Sequence, residues 1–196
     1  ARKYIHFATD GAQRMDSQIR GLLEYSRIGR KGGAFQPLDL DEALEEARRN
    51  LRALLSERHA DIETEGALPT VNADRDQIVR LFQNLISNAV KYCPDDRTPR
   101  VRVTARPAGE DAWDLCVDDN GAGIAESDRD RVFGIFQRLA PKDDDSGTGV
   151  GLAVCRRIAE RHGGTIAIDT APDPLGGARF LVHLPVGQPE DGEQPE

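Results

Sequence analysis

Between Ile78 and Tyr92 a strongly apolar helical pattern carries two carboxamides and an ammonium down its one polar stripe, and few folds accommodate both halves of it. Ile78, Leu81, Phe82, Leu85, Ile86 and Ala89 follow the i, i+3, i+4, i+7 rhythm, so one face must enter a core. Asn84, Asn88 and Lys91 share the opposite stripe, which must look outward or into a cavity. Carboxamide oxygens can ligate a hard cation, and lysine meets phosphate as a point charge. The stripe thus has the composition of a wall for a Mg-nucleotide. A solvated helix face carries the same residue types, and this segment alone does not separate the two readings.

The rest of the chain narrows the choice. At 196 residues and 38% hydrophobic content it can bury the core of one ordinary domain plus an appendage. A net charge of -8 without a basic block argues against nucleic acid as the main partner and does not favour anionic membranes. Cys93, Cys116 and Cys155 sit among apolar neighbours without C-x-x-C spacing, and read as reduced, buried thiols of a cytoplasmic protein. No apolar run approaches the ~18 residues of a membrane span. The chain opens at Ala1 within a helical pattern and reads as part of something longer.

Ile5, Ala8, Ala12, Met15, Ile19, Leu22 and Ser26 form a heptad seam that ends near Gly29 and the Gly32-Gly33 pair. Such a stripe needs a partner helix, from a second copy or from upstream sequence, or else a seat on its own domain. A helix over 39–59 follows, capped by Asp39 or Asp41, then an extended piece over 61–64. Alternation predicts strands through Val101, Val103 and Ala105, through Trp113, Leu115 and Val117, through Ile166 and Ile168, and through Phe180, Val182 and Leu184. Helical patterns over 127–136 and 151–162 lie between the middle and last strands. The expected class is α+β: a two-layer sandwich with helices on one face of a mixed sheet, preceded by a long coiled-coil-like helix. The expected organisation is 1–31 that helix, 32–37 a linker, 38–186 the domain, and 187–196 a disordered acidic tail.

Two glycine loops flank the middle of the domain. Asp119-Asn120-Gly121-Ala122-Gly123-Ile124 follows a strand directly, so a carboxylate at the strand end can accept from an amine edge while the glycines let a flat ligand approach. A tight turn is the plainer reading. Gly147-Thr148-Gly149-Val150-Gly151-Leu152 opens a helix, where free backbone amides suit an anion. It lacks the preceding strand of a dinucleotide fingerprint and the G-K-[ST] of a P-loop. Residues 125–146 between the loops are lid-like, with Phe133 and Phe136 as anchors or plain core and with Arg138 and Lys142 solvated or in reach of phosphate.

In this order NLISNAVKY, DDNGAGI, RVFGIFQRL, GTGVGLAVCRRIAERHGG and GGARFLVHLP resemble the N box, first glycine box, phenylalanine box, second glycine box and terminal strands of sensor histidine kinases of two-component systems. The resemblance covers 38–186, and FQNLISNAVKY, RVFGIFQRL and AERHGGTIAI look most like the kinase modules of bacterial phytochromes. It implies the GHKL (Bergerat) ATP-binding fold with ATP and Mg2+ as ligands. Asn88 would be the Mg ligand and Asn84 would support metal and phosphates. Lys91 would meet phosphate oxygens, and Tyr92 would lie near the base. Asp119 would bind adenine beside Gly121, Gly123 and Ile124, while Gly147, Thr148, Gly149, Val150, Gly151 and Leu152 would cradle phosphates. The seam, with GAQRM and LLEYSR, resembles the second helix of the family's dimerisation and phosphotransfer hairpin. That implies a homodimer, an upstream sensor such as a bilin photoreceptor, and a response-regulator receiver domain as partner.

Hydrolytic relatives such as DNA gyrase carry a glutamate four residues before the metal-binding asparagine, and Asn84 stands at that position here. A carboxamide cannot act as a general base near neutral pH, so the pocket favours phosphoryl transfer to a protein nucleophile. None of the four histidines fits the acceptor: His6 lacks the following acid, His59 and His162 sit at helix ends that suit a cation, and His183 faces out of a strand. The acceptor is therefore expected outside this chain. Arg179 stands where many relatives have threonine, which puts one nucleotide contact in doubt. A non-catalytic nucleotide-binding module for dimerisation or regulation is the alternative.

Overall fold

The computed structural model describes residues 9, 11, 15–16, 18–23, 25–28, 32–138, 148–169 and 175–187. In chain order the elements are β1 (Gln36–Asp39), α1 (Leu40–Asn50), α2 (Arg52–Glu57), β2 (Asp61–Glu65), β3 (Thr70–Ala73), α3 (Arg75–Lys91), β4 (Arg100–Pro107), β5 (Ala112–Asp119), α4 (Gly151–Arg161), β6 (Thr165–Ile168) and β7 (Arg179–Pro185). Asp39 caps α1 by accepting the Asp41 amide at 2.8 Å, whereas Asp41 turns to the Leu68 amide at 3.0 Å. Asp74 caps α3 through the Gln77 amide.

Five strands form one mixed sheet in the order β2-β4-β5-β7-β6, with β2 and β4 parallel and the other pairs antiparallel. Alternation places Val101, Val103, Leu115, Val117, Phe180 and Val182 on one face, where they join α1, α3 and α4 in a single core. Phe82, Leu85 and Ile86 are fully buried at its centre, each contributing about 1.5–3 kcal/mol from burial. This is the expected α+β two-layer sandwich. Every described position between 9 and 28 is helical, and Ile5, Ala8 and Ala12 of the seam lie outside the described residues.

Several expectations are corrected. The helix over 39–59 is broken at Leu51 into α1 and α2. Gln36 and Pro37, assigned to the linker, begin β1, which pairs with β3 in a separate two-stranded sheet. Instead of a helix over 127–136, two 3-10 turns occur at Glu126–Asp128 and Arg131–Phe133. Gly134 is extended, and Phe136 is left-handed at φ 64°, which ends any helical run. Of the tail, 188–196 lies outside the described residues.

His162 is the largest departure: it sits at a helix end that suits a cation, yet it is buried. Its Nδ1 lies 2.7 Å from the Ile158 carbonyl, and its Nε2 accepts the Asp74 amide at 3.1 Å. Those two bonds require a neutral ring with the proton on Nδ1. Burial pushes its pKa below the ordinary histidine value against the Ile158 hydrogen bond, and Arg161 adds to the lowering. Beside it Arg161 pairs with Asp74 at 2.7 Å, donates to the Gly33 carbonyl at 3.0 Å and lies over the Phe35 ring at 4.8 Å. The linker is thereby tied to the start of α3 and the end of α4.

Candidate functional site

α3 buries Leu81, Leu85, Ile86 and Ala89, and the same turns direct Asn84, Asn88 and Lys91 into a cavity of about 980 Å³. Thr148, Gly149, Gly151 and Leu152 form another wall, at the start of α4. A smaller cavity of about 240 Å³ continues from it, lined by Asp119, Gly123, Ile124, Ala178 and Phe180. The two cavities share Asn88, Tyr92, Val132, Gln137 and Leu152.

The polar lining favours an anion at one end and a flat, amine-bearing group at the other. No side chain caps α4 and no acid occupies its first turn, so its leading amides keep their capacity to bind negative charge. Asn84 Nδ2 is buried without a hydrogen-bond partner, and a Cβ at Gly151 would lie 3.5 Å from the same carboxamide. Gly149 is left-handed at φ 69°, and a Cβ there would stand 2.8 Å from the Gln137 carbonyl oxygen. Only glycine lets the second loop come this close to the Phe136–Gln137 backbone. In the smaller cavity Asp119 Oδ1 is fixed by the Gly121 and Ala178 amides at 2.8 and 3.0 Å.

Of the residues expected at a site, all but three line one or both cavities. Gly121 instead supports Asp119 with its amide, and Val150 is buried facing Gly21 of the N-terminal helix. Gly147 lies outside the described residues, as does Lys142. Sequence reasoning missed Leu54, Glu57 and Arg58 from α2 and its end, which close the far side of the larger cavity. It also missed Ala178 and Phe180, whose alternation signalled a core strand only. Phe133 is buried edge-on to Phe180 at 6.5 Å, while Phe136 is 45% exposed, so only the first is held in the core.

Residues 73–188 match the model of the histidine kinase-, DNA gyrase B-, and HSP90-like ATPases. The chain belongs to this ATPase family. Cyanobacterial phytochrome A of Nostoc sp. is 42% identical over 188 residues, which are 95% of this chain and 24% of that protein. Phytochrome-like protein Cph1 of Synechocystis sp. is 36% identical over 187 residues, again 95% and 24%. The chain thus spans about a quarter of the length of these relatives. Among solved structures, the mycobacterial sensor histidine kinase MprB aligns with a TM-score of 0.67 at 28% identity, covering 80% of this chain and 99% of that one.

For this histidine kinase-like ATPase domain, two departures from the sequence pattern acquire a structural account. Arg179 lines neither cavity. Its neighbours Ala178 and Phe180 face the smaller cavity, and Arg179 alternates to the opposite sheet face, where it pairs with Asp118. Among the histidines, His59 is exposed with φ 51°, and His183 pairs with Asp114 at 3.0 Å on that same outer face. His6 lies outside the described residues.

Proposed function

We propose that this domain binds Mg-ATP and donates the γ-phosphoryl group to a histidine outside residues 1–196, for relay to a response-regulator aspartate. The observation that carries this reading is Asn84, a half-buried carboxamide with an unpartnered Nδ2 at the cavity wall, where the hydrolytic relatives place a glutamate. It offers no base for water, yet its Nδ2 suits a phosphate oxygen.

In this reading the base enters the smaller cavity against Asp119, with Tyr92 beside it. Lys91 and the amides at the start of α4 hold the phosphates. The donor set fits a hard cation: the carboxamide oxygens of Asn88 and Asn84 are oxygen ligands, and among the described residues no group of three His, Cys, Asp or Glu offers a rival centre. Mg2+, when held by Asn88, supplies charge neutralisation to the phosphates. The chain's own part is to orient the triphosphate and exclude water, which is most of what phosphoryl transfer requires. His162 and His183 are each engaged with protein partners, which supports an acceptor elsewhere.

Met15, Ile19, Leu22 and Leu23 are 59, 58, 46 and 51% exposed along the N-terminal helix, and a homodimer would bury them. The phytochrome relatives suggest an upstream light-sensing region. Three free, buried cysteines suit a cytoplasmic setting, and among the described residues no helix is long and apolar enough to cross a membrane. Calorimetric titration of ATP with and without Mg2+ tests the site. Tight binding that needs Mg2+ and is lost in Asn88→Ala is expected; metal-independent binding unaffected by Asn88→Ala would remove Asn88 from the metal site.

A further inference from the structure

Asn120 stands in the middle of the first glycine loop, between Asp119 and Gly121, yet it lines neither cavity. Its hydrogen bonds run to the end of the connector between α3 and β4 and to Arg100, the first residue of β4. The Asn120 backbone amide donates to the Arg100 carbonyl at 3.2 Å, and its carboxamide oxygen accepts the Arg100 amide at 2.8 Å. Nδ2 donates to the Thr98 carbonyl at 2.9 Å, and the backbone carbonyl accepts from Arg97 Nη1 at 3.2 Å. Both backbone groups and both ends of the side chain thus bind one neighbouring stretch.

The loop is held to α3 at a second point, where the Ala122 amide donates to the Tyr92 carbonyl at 3.2 Å. A Cβ at Gly121 would lie 2.9 Å from Asp119 Oδ1 and 3.2 Å from the Tyr92 oxygen, so loop and helix end are already as close as glycine permits. The Ala122–Tyr92 bond joins the two walls of the smaller cavity directly. Asn88 and Tyr92 stand on one wall, Asp119 and Gly123 on the other.

We infer that Asn120 is a positioning residue that fixes the width of the smaller cavity and thereby its selectivity for adenine over a 6-oxo purine. The inference rests on the adenine reading of Asp119 given above. A carboxylate accepts from the 6-amino group of adenine, whereas a 6-oxo group offers a second acceptor and repels it. Such discrimination depends steeply on alignment, because a hydrogen bond weakens quickly with distance and angle. In the proposed reading Lys91 and the start of α4 hold the phosphates, and none of the Asn120 bonds touches either, so loosening the glycine loop acts on base reading first.

The test is the affinity of the whole chain for Mg-ATP and Mg-ITP, measured for the wild type, Asn120→Ala and Asn120→Asp. The aspartate keeps an acceptor for the Arg100 amide and loses the Thr98 donor. The wild type should prefer ATP, Asn120→Ala should lower the ATP-to-ITP preference by about tenfold, and Asn120→Asp should fall between. Equal weakening toward both nucleotides, or none, overturns the inference, since a merely structural brace leaves the ratio unchanged. If Asn120→Ala does not fold, an unchanged ratio in Asn120→Asp overturns it equally. A wild-type chain that binds both equally overturns it through the Asp119 reading while nucleotide binding stands. Binding of neither removes the proposed function and the inference together.

Discussion

Arg179 donates through Nε to Asp118 Oδ1 at 2.6 Å, on the sheet face turned away from both cavities. Asp118 is 1% exposed and is met from the other side by Arg102 at 3.4 Å. The three residues are direct cross-strand partners on β4, β5 and β7, and Glu65 and Asp169 extend the row at either end. The hydrogen bond to Asp118 pushes the Arg179 pKa further up, so the guanidinium stays charged. Arg179→Thr should therefore cost ~1–3 kcal/mol of stability, because a buried carboxylate loses a partner. ATP affinity should change by less than about twofold. Urea unfolding beside calorimetric titration checks both, and a large loss of affinity without loss of stability would return Arg179 to the nucleotide site.

The neutral ring of His162 makes stability depend on pH. Its folded pKa is lowered below the ordinary 6.5, so its contribution is complete above that value and is lost as pH falls through the folded pKa. Protonating Nε2 would place a donor against the Asp74 amide and leave a buried charge beside Arg161. Urea midpoints should decline from pH 7.5 toward acid more steeply in the wild type than in His162→Gln. Parallel curves would mean that His162 does not titrate in that range.

Much of this fold can be read from periodicity, and the exceptions have physical causes. α3, α4 and the strands β4 to β7 declare themselves because each buries one whole face. β1 and β3 do not, since only Leu38 in one, and Val71 and Ala73 in the other, reach the core. Val132, Phe133, Ile135 and Phe136 suggest a helix, but the extended Gly134 and the left-handed Phe136 interrupt it. For His162, the sequence position at a helix end suggests a cation, whereas the ring is covered by Phe35 at 4.8 Å, a contact made across most of the chain. Asn84, Asn88 and Lys91 were legible as a polar stripe; Arg58, at the end of α2, gave no local signal that it closes the same cavity.

Gly149 should tolerate no side chain. At φ 69° with a Cβ 2.8 Å from the Gln137 oxygen and from the Phe136 carbonyl carbon, Gly149→Ala combines backbone strain with a clash. ATP affinity should fall by roughly tenfold or more if ~1.4 kcal/mol of the strain is felt at the loop. Retained affinity would show that the loop relaxes without disturbing the site.

The exposed seam of the N-terminal helix predicts its own assembly. Ile19→Glu places a charge where two copies would meet, while the domain core around Phe82 is untouched. Sedimentation should report a dimer for the wild type and a monomer for Ile19→Glu, with the same unfolding midpoint of the domain at high dilution. A wild-type monomer at high concentration would point to upstream sequence as the cover for this stripe.

The central claim is that a pocket with Asn84 in place of a glutamate passes phosphate to a protein histidine and not to water. Incubating the whole chain with γ-labelled ATP, Mg2+ and a separately supplied dimerisation hairpin that carries an acceptor histidine tests it most directly. The account predicts acid-labile label on the hairpin histidine, none on this chain, and little free phosphate. Label on His6, or steady phosphate release with an unlabelled hairpin, would contradict it.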